Sequence, residues 1–158
     1  MRRGTALIVG LLFAGLACAD DVPDPQKTPG AFRAGLTTEK ICATKWGKDE
    51  RHVTAAMKNQ VFALYGYSGN DDPKCVPAGK RHCEIDHLIS RELGGADDVA
   101  NLWPQSYGGH PWNAVLKDTL ENRLHKEVCR KTITLRQART MLLEDWRKAY
   151  TNYYGKPH

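Results

Sequence analysis

After the first twenty positions the chain has no apolar run long enough to cross a bilayer, so nothing there reads as a membrane span. It has no C-x-x-C pair, which disfavours a zinc site of ordinary ligand spacing. Internal repeats and low-complexity tracts are also missing, which argues against solenoids and compositionally biased tails. A strong excess of one charge is lacking too. Lys+Arg 23 against Asp+Glu 18 leaves a net charge of +5, which permits a polyanionic partner without demanding one.

The beginning of the chain is more informative. Arg2-Arg3, the apolar stretch from Ala6 to Leu16, and Ala17-Cys18-Ala19 supply the charged, apolar and small-residue parts of a secretory signal. The expectation is a signal peptide over 1–19, cleaved after Ala19, and export to the periplasm or beyond. A lipoprotein anchored at Cys18 is the rival, disfavoured by Gly15 where an aliphatic residue is normal. Removing 1–19 takes away Arg2 and Arg3, so the charge falls from +5 to +3. Four cysteines are left: Cys42, Cys75, Cys83 and Cys129. An even number in an exported chain predicts two disulfides, with all three pairings open.

Residues 20–36 contain Pro23, Pro25 and Pro29 and almost no apolar periodicity, which predicts a flexible leader. The remainder, 37–158, is enough for one domain of about 120 residues. Val53, Met57, Val61, Leu64 and Tyr65 give a one-sided helical spacing over Asp49 to Tyr65, stopped by Gly66, with Arg51 and His52 solvated near its start. Ser68 to Lys80 is turn-rich. A second helix is expected from Pro111, at the first helical position, to Cys129, with Trp112, Leu116, Leu120, Leu124 and Val128 as its buried stripe. Thr134-Leu135-Arg136-Gln137 is a capping-box pattern opening a last helix. Tyr150, Tyr153 and Tyr154 on that helix read as packing residues.

Between these helices lies the chemistry. Cys83-Glu84-Ile85-Asp86-His87-Leu88-Ile89 is a short apolar run broken by two acids and a histidine. Leu93-Gly94-Gly95 and Asn101-Leu102-Trp103-Pro104 follow it, and then Trp112-Asn113. Aspartate is a hard oxygen donor suited to Mg²⁺, Mn²⁺ or Ca²⁺. Histidine, with an ordinary pKa of about 6.5, can accept a proton near neutrality. Neighbours on a regular strand point to opposite faces, so Asp86 and His87 can share a site only if the strand ends or twists there.

Glu-x-Asp-His, Leu-Gly-Gly, Asn-Leu-Trp-Pro and Trp-Asn-Ala-x-x-Lys-Asp-x-x-Glu-Asn together resemble the HNH (ββα-metal) endonuclease superfamily, particularly its secreted bacterial members. The resemblance implies an α+β fold with a ββα-metal core over about 83–129, extra packing helices and disulfide stabilisation. It implies a metal-dependent endonuclease that hydrolyses phosphodiester bonds of DNA, with RNA as a further substrate, using one divalent cation, Mg²⁺ or alternatively Mn²⁺. His87 would be the base, and Asp86 and Asn113 the metal ligands. Asn101 would pin the loop that holds His87, and Lys117 would contact phosphate or lie in solvent. His110 is the rival to Asn113 as a ligand. Two departures stand out: Ser90 replaces a common proline, and no second histidine follows one turn after Asn113. The alternative is a non-catalytic exported module that binds nucleic acid or envelope polymers.

Overall fold

A computed structural model describes residues 21–47, 50–70, 72–73, 75 and 83–158. The expected signal over 1–19 and much of the turn-rich loop ending at Lys80 lie outside the described residues. Two strands, β1 (Cys83–His87) and β2 (Leu102–Ser106), form an antiparallel pair in the register Cys83–Ser106, Ile85–Pro104, His87–Leu102. The described residues also form four α-helices: α1 (Thr38–Ala43), α2 (Ala55–Tyr65), α3 (Ala114–Cys129) and α4 (Leu135–Tyr154). The described chain is therefore mixed helix with a small antiparallel sheet, compatible with the α+β class.

The alternation of β1 sorts its side chains into two environments. Cys83 and Ile85 join Leu102 against Val61 and Phe62 of α2, forming one apolar cluster. Glu84 and Asp86 face the other way. A second cluster is built by α3 and α4, with Leu120, Leu124 and Val128 packed on Ala138, Leu142 and Trp146, and with Leu93 from the β1–β2 loop. Each fully buried Leu, Val or Trp here contributes roughly 1.5–3 kcal/mol.

Local chemistry sets the helix boundaries. The Thr134 hydroxyl accepts from the Gln137 amide while the Gln137 side chain accepts from the Thr134 amide, a complete capping box opening α4 as its sequence predicts. The helix is interrupted at Asp145, whose carboxylate accepts from the Arg147 amide. Helices α2 and α3 start later than their periodicity suggests. Thr54 caps α2 by accepting from the Met57 amide, so Arg51 to Val53 stay outside the helix. Asn113 caps α3 by accepting from the Leu116 amide, which places Pro111 and Trp112 before the helix. In each case a side-chain oxygen satisfies an otherwise orphaned first-turn amide.

The expected flexible leader is a correction. Residues 21–36 lie against the domain. The Thr28 hydroxyl donates to the Leu102 carbonyl at 2.9 Å, the Gly30 amide donates to the Ala100 carbonyl at 2.8 Å, and Phe32 bridges to Gly95. The Trp146 indole donates to the Asp21 carbonyl at 2.7 Å. The docking rests on separate backbone and side-chain hydrogen bonds, which leave no apolar periodicity in the sequence. Arg51 and His52 are exposed, as expected, and the Arg51 guanidinium also donates to the Ile85 carbonyl at 2.6 Å.

Both disulfides are present, as Cys42–Cys129 and Cys75–Cys83. The first spans 87 residues and ties α1 to the end of α3; the second spans 8. Loop-closure entropy then ranks them, at about 4–5 kcal/mol for the long loop and about 2–3 kcal/mol for the short one. Urea denaturation of Cys42→Ala/Cys129→Ala and of Cys75→Ala/Cys83→Ala should reproduce that order. A larger loss from the short loop would show that the native contacts of Cys75 and Cys83, rather than chain entropy, dominate.

Candidate functional site

The site is assembled where β1 ends. His87 is the last strand residue, and Leu88 and Ile89 turn away into the loop. The Asn101 side chain holds that turn. Its Oδ1 accepts from the Ile89 amide at 2.9 Å, and its Nδ2 donates to the carbonyls of Ile89 at 3.0 Å and Ala96 at 3.1 Å. Asn101 is fully buried, so these bonds are shielded from water. Gly94 takes a left-handed conformation (φ 85°), and a Cβ on Gly95 would run into the Ile89 carbonyl oxygen. The Leu-Gly-Gly pattern thus lets the loop fold back on the strand end.

Because the strand stops there, Asp86 and His87 line the same cleft despite being neighbours. It has a volume of about 400 Å³ and is also walled by Trp46, Arg91, Glu92, Asp118 and Glu121. Four carboxylates therefore share this space. Burial, followed by repulsion from Asp118, pushes Glu92 up to about 7. Burial and then Asp86 hold Asp118 above the usual carboxylate range. Just behind, burial and then Asp86 raise Glu84 to about 7, although the Tyr107 hydroxyl donates to it. Burial pushes His87 below its ordinary value, against the raising influence of Asp86 and Asp97.

Lys117 corrects an expectation. It neither lies in solvent nor reaches a phosphate, because its side chain is 0% exposed. Its Nζ donates to Asp86 Oδ2 at 2.6 Å, to the His87 carbonyl at 2.7 Å, and to Glu121 one turn along α3. Burial alone would strip its proton, but Asp86 and Glu121 outweigh burial and hold it above the ordinary lysine range. Among the described residues, the cation that does line the cleft is Arg91.

Asn113 is not among the cleft-lining residues. Its Oδ1 serves the α3 cap and its Nδ2 donates to the Gly109 carbonyl. The rival His110 is exposed and does not line the cleft either. The structure thus brings together Asp86, His87 and, behind them, Asn101, but leaves Asn113 to the helix start. The sequence reading gave no site role to Glu92, Asp97, Asp118 or Glu121. Spacing held a partial signal, since 117, 118 and 121 share one helical neighbourhood. Asp97 accepts from the His52 amide at 2.6 Å and lies 2.7 Å from His87 Nε2.

A further group of potential ligands, Cys42, His125 and Cys129, falls within 4.8 Å, but the two sulfurs are joined to each other and offer no thiolate. No family model, no curated protein and no solved structure matches the chain.

Two stability measurements follow. Lys117→Met leaves Asp86 and Glu121 without their cation, and should cost roughly 3–5 kcal/mol in urea denaturation near neutral pH. An unchanged midpoint would mean that the ammonium is not the clamp described. For Glu92 the folded pKa is raised, so its favourable contribution is complete below about 4.5 and is lost as pH rises through about 7. Glu92→Gln should therefore stabilise the protein at pH 8, in EDTA, by on the order of 2 kcal/mol, and by much less at pH 5. Equal shifts at the two pH values would contradict the buried charge.

Proposed function

We propose that the protein is a metal-dependent endonuclease acting on DNA, and on RNA as a further substrate, in the manner of a ββα-metal nuclease. The observation that carries this reading is the pairing of Asp86 and His87 at one strand end, both lining a single acidic cleft beside α3. The strand–loop–strand–helix order around them and the Asn101-pinned loop support it.

The donor chemistry of the cleft fits a hard divalent cation. Asp86 and Asp118 are carboxylates in one partly desolvated space, and a nearby positive charge would relieve the repulsion that lifts Asp118 and Glu92. Those two aspartates, rather than Asn113, would hold it. When bound, such a cation supplies charge neutralisation on the phosphate and on the departing oxygen. The chain's own residues supply the rest. His87, kept neutral by burial, takes the proton of a water as its oxygen attacks phosphorus and one P–O ester bond breaks. Arg91, which lines the cleft, would pair with a phosphate oxygen, and the departing oxygen takes its proton from solvent.

One observation favours the second reading, a fold that binds without cleaving: Asp86 already has Lys117 as its counter-ion. Plasmid incubation separates the two. With Mg²⁺ or Mn²⁺ the protein should cleave, EDTA should stop it, and His87→Ala should lower the rate roughly 10²–10⁴-fold. Cleavage that survives EDTA or the substitution would sink the mechanism. Intact DNA bound in a steeply salt-dependent way would point to the binding module.

A further inference from the structure

Asp97 stands ten residues beyond His87 in sequence, yet its Oδ1 lies 2.7 Å from His87 Nε2. The contact is rigidly framed. The Asn101 side chain holds the Ala96 carbonyl at 3.1 Å, and the Ala96 amide donates to the Ala31 carbonyl at 2.9 Å. The second carboxylate oxygen of Asp97 accepts from the His52 amide at 2.6 Å, and Arg91 Nε lies 3.5 Å from Oδ1. Burial would favour the acid form of Asp97, but the His52 amide, His87 and Arg91 together hold it ionised.

An ionised carboxylate only accepts hydrogen bonds, so His87 Nε2 must donate. In the neutral ring the second nitrogen, Nδ1, then carries the lone pair. Nδ1 has no hydrogen-bond partner among the described residues. We propose that Asp97 is the positioning residue of the site, fixing the His87 ring and its neutral tautomer so that Nδ1 is the nitrogen that takes the proton of the attacking water. This rests on His87 being the base. The plainer role for Asp97 is to staple the loop through His52 and Arg91. Such a staple would affect folding without choosing which ring nitrogen bears hydrogen.

Long-range proton–nitrogen NMR correlations of His87 in the folded, disulfide-bonded protein at about pH 8 test the tautomer directly, with no substitution needed. The wild-type ring should carry its hydrogen on Nε2. In Asp97→Asn the two tautomers should mix, and kcat on plasmid should fall roughly 10–100-fold, less than on loss of the base itself. KM should stay within about 3-fold, since the interaction acts on the base and not on substrate binding. Asp97→Glu should restore part of kcat. A wild-type ring protonated on Nδ1, or an Asp97→Asn variant with unchanged tautomer and kcat, would overturn the proposal. A wild-type protein with no cation-dependent cleavage would remove the nuclease reading instead, and the ring measurement would still decide what Asp97 does.

Discussion

A single ammonium group, the Nζ of Lys117, joins the end of β1 to the first turns of α3. It lies fully out of solvent and donates to a strand carboxylate, a strand carbonyl and a carboxylate on its own helix. Desolvating a charge is tolerable only when it is paired and hydrogen-bonded, and here all three ammonium hydrogens have acceptors. The consequence is geometric as well as energetic. Asp86 and Glu121 would repel one another across a poorly screened space without the cation between them. With it, α3 is registered against the strand end, and Asp118 is carried to the rim of the same cleft. One oxygen of Asp86 is committed to this clamp, which leaves the other as its contribution to the cleft.

A second constraint works from the opposite side. The long connection between β1 and β2 could wander, but the buried Asn101 amide fastens it at both ends, and Gly95 allows the backbone to approach within contact of Ile89. Residues 21–36 then dock on that connection and on β2. Asp97 inherits its position from this stack, as does Arg91, whose guanidinium also donates to the Glu50 carbonyl. The cleft is thus made of a strand end, a helix face and a pinned loop, and each is fixed by polar contacts rather than by apolar packing alone.

Legibility in the sequence followed the range of the interaction. Local devices were readable: the Thr134–Gln137 box, the Leu116 to Val128 stripe and the even cysteine count all depend on residues near one another or on composition. The Asp86–His87 pair was readable as chemistry, and its sharing of one site required only that the strand end at His87. Lys117 was not readable as buried. Its ionic partner on β1 is 31 residues away, and an i,i+4 Lys–Glu pair on a helix is ordinarily a solvated one. Asp97 was hidden by the folding-back of the loop, and residues 21–36 by docking through scattered backbone and polar side-chain bonds, which carry no periodic signal. Asn113 illustrates the converse. The same short polar side chain that could coordinate a cation is also a strong helix cap, and the local hydrogen bond took it.

The charge distribution carries the argument one step further. The whole chain is basic, at +5, while the cleft is walled by Asp86, Glu92, Asp118 and Glu121, with Arg91 the one opposing cation among the described lining residues. A polyanion attracted to the protein at large would be repelled at the cleft that holds the proposed base. That contrast makes little sense for a pocket that recognises phosphate by itself, since a direct phosphate site would place its lysine at the surface rather than bury it against acids. It is coherent for a pocket whose phosphate contacts are completed by a bound cation. On that reading the acids repel the substrate until the cation is in place, and His87, already neutral, needs no further change to act.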